Sequence, residues 1–145
     1  MKKAVLISLI SLFFVANHVQ SQQWQPSWNA AKQLAKTENK KLLLSFSGSD
    51  WCLPCMRMRK FVFSSDDFVK YANQHLILYN ADFPRKKGTL TKEQIAVNGS
   101  LADKYNSEGH FPFTILFDPN GKIIKEWNGL YTNGVVNFIQ EINGE

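Results

Sequence analysis

Trp51-Cys52-Leu53-Pro54-Cys55 holds both cysteines of the chain, with two residues between them. It follows a short apolar run, Leu42-Leu43-Leu44-Ser45-Phe46, and a Gly48-Ser49-Asp50 loop, so it stands at the junction of a buried strand and a helix. Pro54 suits the first turn of that helix, where a missing N–H costs nothing. A cysteine pair so placed can alternate between dithiol and disulfide, and the helix N-terminus favours the thiolate of the first cysteine. Cys52 is therefore the expected attacking nucleophile. Cys55, one turn in on the same face, is the expected resolving thiol and the more buried of the two. Trp51 shields the pair and offers an apolar contact, while Asp50 weakly opposes a neighbouring thiolate.

Other uses of the pair fit less well. A zinc half-site needs two more ligands, and beyond the first residues only His75 and His110 remain, at a spacing that matches no common zinc pattern. Covalent haem attachment needs histidine where Met56 stands. An inert structural disulfide stays open, but so short a loop removes little chain entropy and makes a poor staple. Thiol exchange accounts for the pair best, with no metal and no cofactor expected.

Outward from the pair, the chain alternates helix and strand. Ser27 caps a helix over roughly 28–39, with Trp28, Ala31, Leu34 and Ala35 on one side. The helix from about Cys52 carries Met56, Met58, Phe61 and Val62. Ser65 or Asp66 restarts helix for Phe68, Val69, Tyr71 and Ala72, and His75 to Ala81 reads as a second strand. Asp82 to Thr91 is a polar loop. Lys92 to Tyr105 reads as a helix with Ile95, Leu101 and Ala102 facing inward, weakened by Asn98-Gly99. Phe113 to Phe117 is a third strand, Asp118-Pro119-Asn120-Gly121 a turn, and Lys122 to Trp127 a fourth strand. Thr132 caps a last helix with Val135, Val136, Phe138, Ile139 and Ile142. Strands separated by helices imply parallel neighbours, and the final hairpin an antiparallel edge. The expected fold class is α/β, a central mixed sheet with helices on both faces.

The first 21 residues have the pattern of a secretory signal peptide. Lys2 and Lys3 precede an apolar run from Ala4 to Ala16, and Val19-Gln20-Ser21 suits a signal peptidase, with cleavage expected after Ser21. The run is short for a membrane span. Residues 22–145 then form one domain of ordinary size. An exported chain meets an oxidising compartment, periplasmic or extracellular, where disulfides persist. The net charge of +5 is mild, and two of those charges lie in the leader. Clusters at Arg57, Arg59, Lys60 and at Arg85-Lys86-Lys87 lack interleaved aromatics, so no nucleic-acid partner is expected.

Phe46, Trp51-Cys52-Leu53-Pro54-Cys55, Phe111-Pro112 before a strand, Asn120-Gly121-Lys122 in a hairpin and Gly129 before the last helix resemble thioredoxin. Gly48-Ser49-Asp50-Trp51-Cys52 and Asp82-Phe83-Pro84 are similar to exported thioredoxin-like proteins. The resemblance covers about residues 28–143 and implies a thioredoxin-like fold. It implies Cys52 as nucleophile, Cys55 as resolver and Pro112 as a cis-proline facing them. It also implies that Phe111 pairs its backbone with an extended client segment, in the manner of an added strand, beside Trp51. Where thioredoxin has a buried aspartate under the pair, this chain offers Ser45, Phe46 and Ser47, and the 76–81 strand supplies no lysine. The internal proton acceptor of Cys55 is thus missing or replaced, with water as one substitute. His110, protonated, is a candidate to stabilise the Cys52 thiolate, a solvated loop histidine being the alternative. The segment between Asp82 and Pro112 is longer than in thioredoxin by about a helix, and its basic 85–88 loop is a candidate determinant of partner choice.

These readings converge on an exported, monomeric thiol–disulfide oxidoreductase that cycles Cys52 and Cys55 on disulfide-containing or dithiol client proteins. The proline before Cys55 resembles reducing members, so reduction is the expected direction, recharged by a membrane-bound or other electron donor. The alternatives are a disulfide isomerase or oxidase, and a non-catalytic binding or chaperone module using the Phe111-Pro112 strip.

Overall fold

Alternation along two adjoining parallel strands sorts the apolar residues into two cores. In the computed structural model, which describes residues 23–145, these strands are β1 (Lys41–Ser47) and β2 (Leu76–Asp82), paired Lys41 to Leu76 through Ser47 to Asp82. The expected leader, residues 1–21, lies outside the described residues. Leu42, Leu44 and Phe46 of β1 face one way with Ile77, Tyr79 and Ala81 of β2. Leu43 faces the other way with Leu76 and Leu78.

Helix α1 (Trp28–Glu38) covers the first face, with Ala31 and Ala35 small enough to lie flat against the sheet. The Ser27 hydroxyl caps it by accepting the Ala30 N–H at 3.2 Å, and Asn39 ends it in the left-handed region at φ 52°. Helix α4 (Lys92–Tyr105) shares that face through Leu101. The second face is covered by α2 (Leu53–Met58), a π-helical stretch (Arg59–Phe63), α3 (Asp66–His75, capped by Ser65) and α5 (Val135–Asn143). Strands β3 (Phe113–Phe117) and β4 (Ile123–Asn128) complete a sheet of order β2-β1-β3-β4. The mixed sheet with helices on both faces is the expected architecture.

Four local expectations are corrected. β3 does not lie parallel beside β2; it runs antiparallel along the free side of β1, Phe46 opposite Phe113. All five of its side chains are buried, so its pattern carries no sign of which neighbour it takes. The helix from Cys52 does not continue regularly. The wider π turn rotates Phe61 out to solvent, 62 % exposed, while Val62 and Phe63 go inside. In α4 Asn98, 2 % exposed, is buried beside the expected Leu101, and Ile95 faces solvent at 59 %. Thr132 does not cap α5: the chain enters that helix through Gly134 at φ 86° with no side-chain cap, and Val136 points outward.

Candidate active site

Register brings the C-terminal ends of β1 and β2 and the N-terminal end of β3 to one end of the sheet. Every expected site residue is delivered there by a segment leaving that end. After Ser47 the chain turns through Gly48 to Asp50, and Cys52 becomes the N-cap residue of α2. Its sulfur sits where a capping oxygen would and accepts the Cys55 N–H at 3.2 Å. Cys52 and Cys55 form a disulfide. The expected difference in burial is absent in this disulfide-bonded state: Cys52 is 4 % exposed and Cys55 5 %.

The loop before Cys52 is tied down from the neighbouring strand. Asp82, the last residue of β2, accepts the Ser49 N–H at 2.8 Å on Oδ1 and the Ser49 hydroxyl at 2.6 Å on Oδ2. Asp50 returns the tie. Its carboxylate accepts the N–H groups of Arg85 and Lys86 at 2.9 and 2.8 Å, and these hydrogen bonds hold its carboxyl below the usual carboxylate range. Asp50 thus ties the loop before Cys52 to the basic 85–87 loop.

Trp51 is half-buried beside the pair. Its indole N–H donates to the Phe83 carbonyl at 2.7 Å, its ring meets Phe111 edge-on at 5.4 Å, and the Arg85 guanidinium lies 4.8 Å over it. Phe83 touches Phe111 in turn at 5.5 Å. An aromatic strip with a cation on its rim therefore borders the disulfide. The Phe111–Pro112 peptide bond is cis, and Pro112 is buried, lining a cavity with Cys55. The loop ahead of it is held by Asn106, 5 % exposed, whose amide donates to the His110 carbonyl and accepts the His110 N–H, both at 2.9 Å. The His110 ring turns to other partners: Asn128 Nδ2 is 3.1 Å from Nδ1, and Glu108 is 3.4 Å from Nε2. Those contacts face β4 and the preceding loop.

The structure thus gathers Cys52, Cys55, Trp51, Phe111 and Pro112 at one end of the sheet. Sequence reasoning missed the fastenings: Asp82, Asn106 and the Phe83 carbonyl. The signal for Asp82 was its place in the Asp82-Phe83-Pro84 segment; nothing local marked Asn106.

Residues 23–119 match the model of a family described as thioredoxin-like. A disulfide bond reductase, DsbH, of Chlamydia pneumoniae is 35% identical over 100 residues, 69% of this chain and 58% of that protein. A thioredoxin-related protein of the same organism, DsbJ, is 35% identical over 60 residues, 41% of this chain and 17% of that protein. The chain matches less than two thirds of the length of either relative. Among solved structures, a DsbH oxidoreductase superposes with a TM-score of 0.78 at 30% identity, covering 86% of this chain and 84% of that one. A thioredoxin from Thermus thermophilus superposes at 0.65 with 19% identity, covering 86% and 87%, a likeness of fold.

Proposed function

The chain belongs to the thioredoxin-like family, and from that premise we propose that it is an exported thiol–disulfide oxidoreductase that reduces disulfides of client proteins. The observation that carries the reading is the Cys52–Cys55 disulfide at the head of α2, with the Cys52 sulfur on a backbone N–H. In the reduced form that N–H and the helix terminus favour a Cys52 thiolate. The thiolate attacks a client disulfide and forms a mixed disulfide with it. Cys55 then displaces the client, leaving the bond seen here. Trp51, Phe83 and Phe111 offer an apolar strip against which an extended client segment lies, paired through the Phe111 backbone. The likeness to a protein named disulfide bond reductase supports the reducing direction. The protein acts as a monomer, meets its clients outside the cytoplasm, and is recharged by a membrane-bound or other electron donor. The basic 85–87 loop, stacked on Trp51 through Arg85, takes part in choosing them.

The test is a redox titration of the Cys52–Cys55 pair against glutathione, joined to turnover of a protein disulfide with a dithiol as electron source. A potential near ~−270 mV with turnover lost in Cys52→Ser is expected for a reductase. A potential near ~−120 mV would make the protein an oxidant of its clients. Turnover unchanged in Cys52→Ser would remove the enzymatic reading.

A further inference from the structure

Ser45 is 3 % exposed, and its hydroxyl has no hydrogen-bond partner among the described residues. A buried hydroxyl left so is unfavourable unless water meets it. It lies on the face of β1 beneath α2 and lines a cavity of about 260 Å³ with Cys55, Ser47, Asn80, Ser49 and Pro112. Trp24, Met56, Met58 and Phe63 form its apolar wall, while the Ser45, Ser47, Ser49 and Asn80 side chains line a polar side against which there is room for several waters of about 30 Å³ each. Among the described residues, the only charged side chain lining it is that of Arg59, whose positive charge favours a thiolate. No carboxylate of the described residues lines it, but one stands a single hydrogen bond beyond. The Ser47 hydroxyl is 2.9 Å from Asn80 Oδ1 and 3.2 Å from Asp82 Oδ1. The other acid near the pair, Asp50, is turned to the Arg85 and Lys86 amides.

We propose that this hydrated cavity is the proton exit of Cys55, with Ser45 positioning its inner water and the Ser47–Asp82 pair receiving the proton at its outer end. The inference rests on the redox reading above. In the first step the Cys52 thiolate attacks R–S–S–R′; Cys52–S–S–R forms and R′–S⁻ leaves. In the second, the Cys55 thiol gives its proton to the cavity water and, through Ser47, to the Asp82 carboxylate. The Cys55 thiolate attacks Cys52 Sγ, the Cys52–Cys55 bond forms, and R–S⁻ leaves with the electron pair and takes up a proton. The cysteine pair loses two electrons and the substrate gains two. Ser45 acts through water, so it is a positioning residue.

The two steps separate when the reduced protein is mixed with the aromatic disulfide dithiobis(nitrobenzoate). The first nitrothiolate released reports attack by Cys52, and the second reports resolution by Cys55. Cys55→Ser, which should give only the first, assigns the phases. Ser45→Ala should leave the first release unchanged, since that step does not use the Cys55 proton, and should move the folding midpoint little, since the hydroxyl loses only a bond to water. It should slow the second release about tenfold at neutral pH, a modest share of the roughly hundred- to ten-thousand-fold that positioned proton transfer supplies. The deficit should vanish in alkali, where hydroxide deprotonates Cys55 directly; a merely structural role would give no such pH dependence. Asp82→Asn, a second variant, should shift the same profile. Second-release profiles identical to wild type in both variants would overturn the proposal. Failure of the redox reading looks different: Cys52→Ser would then release nitrothiolate as fast as wild type.

Discussion

Gly48 illustrates how one atom can govern the approach to Cys52. A Cβ built on Gly48 would overlap the Trp51 indole. The indole has little freedom to yield, being held by its N–H to the Phe83 carbonyl at 2.7 Å and set against Phe111 and Arg85. Gly48→Ala should therefore cost about 1–3 kcal/mol, the range for forcing volume into a packed site. The denaturant midpoint of the oxidised protein measures it, and indole fluorescence should report a displaced Trp51; an unchanged midpoint would mean that the ring moves freely. At this scale the chemistry was legible and its support was not. The two cysteines, Trp51, Phe111 and Pro112 declare themselves by type and spacing. Gly48 reads as ordinary loop, because the ring that excludes a side chain there is placed by a carbonyl more than thirty residues further on.

Among the elements, α4 is where periodicity misled and where a polar residue ties helix to sheet. Its apolar residues do not gather on one face, so counting them gave Ile95 an inward place that belongs to Asn98. The Asn98 amide oxygen accepts the Tyr79 hydroxyl at 2.7 Å, and its nitrogen donates to the Asp82 carbonyl at 2.9 Å. Those bonds join α4 to the strand that carries Asp82, and through Asp82 to the loop before Cys52. Asn98→Ala leaves a buried hydroxyl and a carbonyl without their partner and should cost about 2–6 kcal/mol, each such loss being worth about 1–3. Ser100→Ala, on the exposed side, where the hydroxyl only returns to the Ala96 carbonyl, should stay within about 0.5 kcal/mol. Equal effects of the two would refute the anchoring role. The caps at Ser27 and Ser65 were readable because capping is local: donor and acceptor lie three residues apart. The entry to α5 escaped reading because it depends on a backbone angle at Gly134 and not on the hydroxyl of Thr132.

For the molecule as a whole, the layered α/β architecture was legible because β1 and β2 sort their side chains by face. The place of β3 was not, since a strand buried on both faces is compatible with either neighbour. What closes the β3–β4 side is a carboxylate. Glu141 on α5 accepts the Trp127 indole N–H at 2.8 Å, the Tyr131 hydroxyl at 2.7 Å and the Lys125 ammonium at 2.8 Å, drawing helix, edge strand and intervening loop together. The Lys125 hydrogen bond, then those of Tyr131 and Trp127, lower its carboxyl from 4.5 to about 2. A carboxyl whose folded value is depressed adds stability that is complete above its unfolded value and disappears as the pH falls through its folded one. The contribution of Glu141 should therefore be whole above pH 4.5 and fade between there and about pH 2. The group is partly open to solvent and its ion pair is screened, so the effect is a change of slope and not collapse. Denaturant midpoints of the oxidised protein across that window should fall more steeply in wild type than in Glu141→Gln. The variant should be the less stable at neutral pH, and the two curves should converge near pH 2. Parallel curves would show that the acid sensitivity of the fold lies elsewhere.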